Sequence, residues 1–152
     1  MDRHMIKSGL LAGAVSGLAL AYLQWAAYLL NILPYHVYIA AASIILPENL
    51  LFSVFGLIVG FVLHTAFSAL VGLLLAYVVH HRLEKAVSWG IGFGLAAVIL
   101  SNFVLAWLGP EQPLLAMRQT AIYFTVISRI LYGAFLGYLY KRYLSLPVGR
   151  LP

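Results

Sequence analysis

Arg129 stands inside the run TVISRILYGAFLGYLYKRY (Thr125–Tyr143), which is otherwise suited to hydrocarbon. Arginine offers five donors in a planar fork that matches a carboxylate or a phosphate. Burying it at the centre of a bilayer costs roughly 2.5–3.5 kcal/mol on insertion scales. At ~1.5 Å per helical residue, Arg129 lies ~18 Å from the level of Lys141. On the same scale His64, Gln24 and Asn102 lie ~24–25 Å from His80, Lys7 and Lys85 respectively, and Thr125 is one turn beyond Arg129. Gln24, His64, Asn102 and Thr125 therefore form a candidate polar layer, with Arg129 and Ser128 just beneath it.

The four acids are Asp2, Glu48, Glu84 and Glu111, all near helix ends or in loops, so no carboxylate shares the depth of Arg129. Three readings follow. Arg129 donates to backbone carbonyls, Asn102 and Ser128 in a packed polar core; it faces a water-filled outward vestibule; or it holds an anion or a lipid head group. His64 is open to the same division between a hydrogen-bonded packing residue and a ligand. As a haem ligand it would need a second axial group, and no other histidine lies within a span. Metal catalysis generally needs three protein ligands, and the sequence offers neither these nor paired carboxylates. No Ser/His/Asp set can be assembled without an acid in the interior. The chain is therefore expected to be no enzyme and to need no cofactor or metal.

The elements that must position these residues follow from composition. The chain has 152 residues, 64% hydrophobic and 9% charged, with mean hydropathy +0.99. Soluble domains carry about 25% charged residues, and a chain this small cannot hide so much apolar surface from water. The expected fold is all-α, a single polytopic membrane domain. Its four spans cover about Ile6–Ile32, Leu50–Val79, Ala86–Leu108 and Thr120–Tyr140. Each exceeds the roughly 20 residues that cross ~30 Å of hydrocarbon, and none alternates as a barrel strand would. The first run is longer than the 7–15 residues usual in a signal peptide and is read as a retained span. The absence of cysteine excludes disulfides and thiolate chemistry.

Charge gives the threading. Arg3, Lys7, Arg82, Lys85, Lys141, Arg142 and Arg150 fall on one side, and among the loop residues only Arg118 falls on the other. By the positive-inside rule both termini are inside (N-in/C-in), as expected of a multi-pass protein of the cell (cytoplasmic) membrane. The net charge of +5 is topological, and no nucleic-acid partner is expected. Trp25, Tyr28, Tyr35, Tyr38 and Trp107 would form an outer aromatic belt, and Tyr138, Tyr140 and Tyr143 an inner one.

The halves look alike. PENLL (Pro47–Leu51) pairs with PEQPLL (Pro110–Leu115), ALVGLLLAYVVHH (Ala69–His81) with ILYGAFLGYLYKR (Ile130–Arg142), and SGLLAG in span one with WGIGFG in span three. Two tandem helical hairpins are implied. Every span carries small residues four apart: Gly9, Gly13 and Gly17; Gly56 and Gly60; Gly90 and Gly94; Gly133 and Gly137. Such faces let backbones approach closely, either inside the monomer or in a homo-oligomer or larger membrane complex. The apolar loop YHVYIAAASIIL (Tyr35–Leu46), bounded by Pro34 and Pro47, is too short to span and suggests a short interfacial or re-entrant helix in the first outer loop.

WGIGFG (Trp89–Gly94) and ILYGAFLGY (Ile130–Tyr138) give the second half a resemblance to the YqhR-type membrane proteins of spore-forming Firmicutes. That resemblance implies no activity. Small multidrug transporters also have four short spans, but they depend on a glutamate in span one, where this chain has only Gln24. Two functions stay open. One is an outward-facing polar pocket around Arg129 that binds or passes a small anionic or amphipathic solute. The other is a structural or accessory membrane subunit acting through glycine-rich packing.

The threading is testable in intact cells. A cysteine replacing Gln112 should react with a membrane-impermeant thiol reagent added outside, and one replacing Glu84 should not. The reverse pattern would invert the topology.

Overall fold

A computed structural model describes residues 3–108 and 118–145; the side chains at 102 and 104–108 lie outside that description. The described residues form helices only: α1 (Arg3–Leu29), α2 (Val37–Ala42), α3 (Glu48–Leu51), α4 (Val54–Val79), α5 (Ala86–Leu108) and α6 (Gln119–Leu144), with a 3-10 turn at Leu83–Lys85. Four of these (α1, α4, α5 and α6) are long and apolar enough to cross a membrane. The outward faces agree: Val54 is 74% exposed and Ile99 73%, side chains that only lipid would cover without cost. Trp107 and the Pro110–Leu115 segment lie outside the described residues.

Local chemistry moves the helix ends away from where hydropathy alone puts them. α1 stops at Leu29 rather than Ile32 because Asn31 takes a left-handed conformation (φ 56°). The Asn31 and Ile32 amides then donate to the Tyr28 and Ala27 carbonyls at 3.0 and 2.9 Å, and Ile32 packs beside Ala27. This is a Schellman C-cap, with asparagine where glycine is most common. α4 begins at Val54 rather than Leu50. Ser53 breaks the run, accepting from the Gly56 amide at 3.0 Å while its hydroxyl donates to the Leu50 carbonyl at 2.6 Å. α6 continues to Leu144, where Lys141 and Arg142 in the last turn complement the negative end of the helix dipole.

α1 is the centre of the assembly. It packs extensively on α4 and on α6, α5 packs on α6, and α4 and α5 touch only lightly. The two main crossings are made through glycine. A Cβ on Gly72 would strike the Gly9 carbonyl and the Gly13 backbone, and one on Gly133 would strike the Gly90 carbonyl. Gly72 belongs to the packing set although it stands outside the spaced pairs read from span two. Gly56 and Gly60 serve a different purpose: they seat the outer loop, Gly56 against the Leu50 and Leu51 carbonyls and Gly60 against the backbone of Tyr38. α6 runs antiparallel to α1, with Leu144 near His4 and Ala121 near Ala27. The main core occupies the inner half: Ala12, Leu20, Leu75, Ala76, Val79, Ala86, Tyr132, Leu136, Leu139 and Tyr140.

The outer loop is shorter in its helix and deeper in its packing than a 12-residue surface helix would be. α2 has six residues, and Val37, Ile39, Ala41 and Ala42 are buried. His36 caps its start, and Ser43 closes it by donating its hydroxyl back to the Ala40 carbonyl at 2.9 Å.

The crossings give a paired expectation. Gly133→Ala should lower the thermal midpoint in detergent, because the added methyl meets the Gly90 backbone and overpacking costs about 1–3 kcal/mol. Gly92→Ala should raise it, because nothing lies within 4 Å of the new methyl and alanine is better than glycine in a helix by roughly 0.5–1 kcal/mol. Equal effects would exclude a glycine-level contact at the α5–α6 crossing.

Candidate functional site

α4 presents His64 and Ser68, one turn apart, to α1. Gly17 on α1 has no side chain, and a Cβ there would strike Ser68. The two helices therefore close far enough for His64 Nε2 to lie 2.9 Å from the Gly17 carbonyl oxygen. A carbonyl only accepts, so Nε2 carries the proton and donates, which leaves Nδ1 as an acceptor in the neutral ring. His64 is 6% exposed.

α6 brings Arg129 and Tyr132, three residues apart and hence on one face. The Arg129 charge reaches both His64 and Tyr132, and the Tyr132 phenol lies beside the Ser68 hydroxyl. The Arg129 carbonyl backs onto Gly94 of α5. The Arg129 Nε is buried and has no hydrogen-bond acceptor. The site at the α1, α4 and α6 junction thus consists of His64, Ser68, Arg129, Tyr132 and the Gly17 backbone.

The residues expected from sequence fare unequally. His64 lies within reach of the Arg129 charge. Ser128 is buried, and its hydroxyl donates to the Thr125 carbonyl of its own helix at 3.0 Å. The Thr125 side chain is partly buried. Gln24 is buried on α1, two turns beyond Gly17 and on the same face. The Asn102 side chain lies outside the described residues. Ser68 and Tyr132 escape a reading by depth alone. Their spacing marks them: four residues after His64, three after Arg129.

A second cluster joins this site from the loop. His36 is 6% exposed and stacks on Trp25, with ring centroids 5.2 Å apart and planes within 5°. Tyr28 and Tyr38 meet it edge-on at 5.4 and 5.6 Å. Its Nδ1 accepts from the Tyr38 amide at 3.3 Å and so caps α2. The Tyr38 ring then touches Phe61 and His64 at 5.6 and 5.9 Å. Trp25, Tyr28 and Tyr38 thus enclose His36 while Trp25 keeps an exposed face; His36 is the central residue of this cluster although it reads in the sequence as an ordinary loop histidine.

The convergent polar groups can donate: the Arg129 guanidinium, and the Ser68–Tyr132 hydroxyl pair, which keeps one proton beyond its mutual hydrogen bond. Such a set suits an oxyanion. Among the described residues no group of three or more His, Asp or Glu could hold a metal ion. Compared with family models, curated proteins and solved structures, the chain matches none.

His36 supplies a pH dependence whose sign is fixed. Burial pushes its pKa below the ordinary value of 6.5. The packed loop therefore prefers neutral His36, and its stability is full above about that value and declines as pH falls below it. A proton on Nδ1 also removes the α2 cap. Hydrogen exchange of the Val37–Ala42 amides, corrected for intrinsic rates, should be faster at pH 5 than at pH 7.5. His36→Asn keeps a capping acceptor and should flatten the difference. The same acceleration in the variant would exclude His36 as its source.

Proposed function

We propose that this chain is a non-enzymatic multi-pass protein of the cytoplasmic membrane that binds or passes a small anionic or amphipathic solute at Arg129. One observation carries this reading: a mid-membrane guanidinium whose buried Nε–H has no acceptor, in spans that contain no Asp or Glu. A buried guanidinium N–H without an acceptor is costly, and an oxyanion would relieve that cost through charge-assisted hydrogen bonds. Ser68 and Tyr132 would complete the donor set. His64 would hold the α1–α4 geometry around them.

In this reading the protein is two tandem hairpins, α1–α4 and α5–α6, with both termini inside and the α2 loop lying over the outer side of the site as a re-entrant cover. Equivalent packing supports the repeat. Gly9 and Gly13 meet Gly72 as Gly90 and Gly94 meet Gly133, and the carbonyls facing Gly13 and Gly94 belong to Ser68 and Arg129, each four residues before its glycine. Arg129 is then the second hairpin's counterpart of Ser68, a duplicated position that has acquired charge. The accessory-subunit alternative draws less support, because the nine spaced glycines are all occupied by contacts within the chain.

Thermal stability of wild type and Arg129→Gln, measured against a panel of carboxylates and phosphates in soluble and lipid form, tests the proposal. At least one oxyanion should stabilise wild type, and none should stabilise the variant. Arg129→Lys should respond in part, since it keeps the charge and loses the fork. If no anion stabilises wild type more than Arg129→Gln, the accessory reading takes its place.

A further inference from the structure

We infer that the oxyanion reaches Arg129 sideways from the bilayer, between α4 and α5, and is the head group of an acyl amphiphile; this rests on the binding role proposed above. Among the described residues, apolar clusters stand on either side of the site along the bundle. On the outer side Ala27, Leu33 and Ala121 pack together with Ile32 and Phe124. Ala121 lies ~12 Å along α6 from Arg129, so this apolar plug sits above the site. The loop adds a second plug over the outer part of α4: Ile39, Ala42 and Leu51 with Tyr35, Leu46 and Leu57. On the inner side the main core fills the bundle from Tyr132 through Leu136 to Tyr140.

The flanks differ. The α1–α4 and α5–α6 interfaces are closed at glycine distance, and α1 lies along α6. α4, in contrast, meets α5 and α6 of the second hairpin only lightly. α4 and α5 turn apolar faces outward, with Phe67 and Leu74 exposed on α4 and Leu95 and Leu100 on α5. A polar site with apolar clusters above and below it, and a loose wall towards hydrocarbon, suits a ligand that arrives through lipid. A hydrated ion would have to shed its water there. An acyl chain brings its own anion and contributes about 0.8 kcal/mol per buried methylene.

The test uses the full chain in nanodiscs of neutral phosphatidylcholine. Oleate and oleoyl lysophosphatidic acid should each raise the unfolding temperature of wild type by several degrees. Oleyl alcohol, acetate and inorganic phosphate should not. Arg129→Gln should lose the response, and Arg129→Lys should keep part of it. A photoreactive fatty acid should label peptides of α4, α5 and α6 in wild type, with competition by oleate and not by oleyl alcohol; this readout stands even if Arg129→Gln does not fold. Equal stabilisation by acetate or phosphate would overturn lateral access while leaving an anion site in place. Equal stabilisation by oleyl alcohol would remove head-group recognition. If no oxyanion distinguishes wild type from Arg129→Gln, and no competed label appears, the inference falls together with the binding role.

Discussion

Backbone-to-backbone contact at glycine is the constraint on which the rest of this structure depends. In hydrocarbon each helix satisfies its own amides, and no hydrophobic force draws one helix to another. Association must come from close packing. Gly72 against Gly9 and Gly13, and Gly133 against Gly90, supply it. The hydrogen bond from His64 to the Gly17 carbonyl exists only because α1 and α4 have already come that close.

The same contacts determine where polarity can be tolerated. Among the described residues, one apolar cluster fills the half of the bundle near the termini and another lies towards the opposite end, and the polar residues gather in the layer between. Within that layer most groups are quieted locally: Ser128 by its own helix, His64 by Gly17. Arg129 Nε and Thr65 Oγ1 are the exceptions. A serine that bonds back to its own helix needs no partner elsewhere, but a guanidinium cannot be satisfied that way. It carries the functional reading for that reason, while Ser8 and Ser16, also fully buried and without hydrogen bonds, serve as small residues at close crossings.

The outer loop links surface chemistry to this layer. Trp25 and Tyr28 from α1 and Tyr38 from α2 enclose His36, and Tyr38 continues to His64. A six-residue helix is too short to persist by itself. It is held by the His36 cap, by the seat that Gly60 provides and by this ring packing. The loop's order therefore depends on a histidine remaining neutral, and so on the pH around it.

By itself the sequence determined the all-helical class, the four spans and the isolation of Arg129 from any carboxylate. These follow from composition and from distance along a helix, which need no partner element. The glycine spacing likewise marked the faces that pack. Tertiary structure decided which glycine meets which. It gave Gly56 and Gly60 to the loop rather than to a long helix, and it brought in Gly72. It also put Tyr132, with Ser68 beside it, within reach of the Arg129 charge, because depth along an axis carries no information about rotation around it. The burial of His36 was beyond the sequence for a similar reason. Its partners come from α1 and α2, and only the Schellman turn at Asn31, which folds the chain back on itself, brings those elements together.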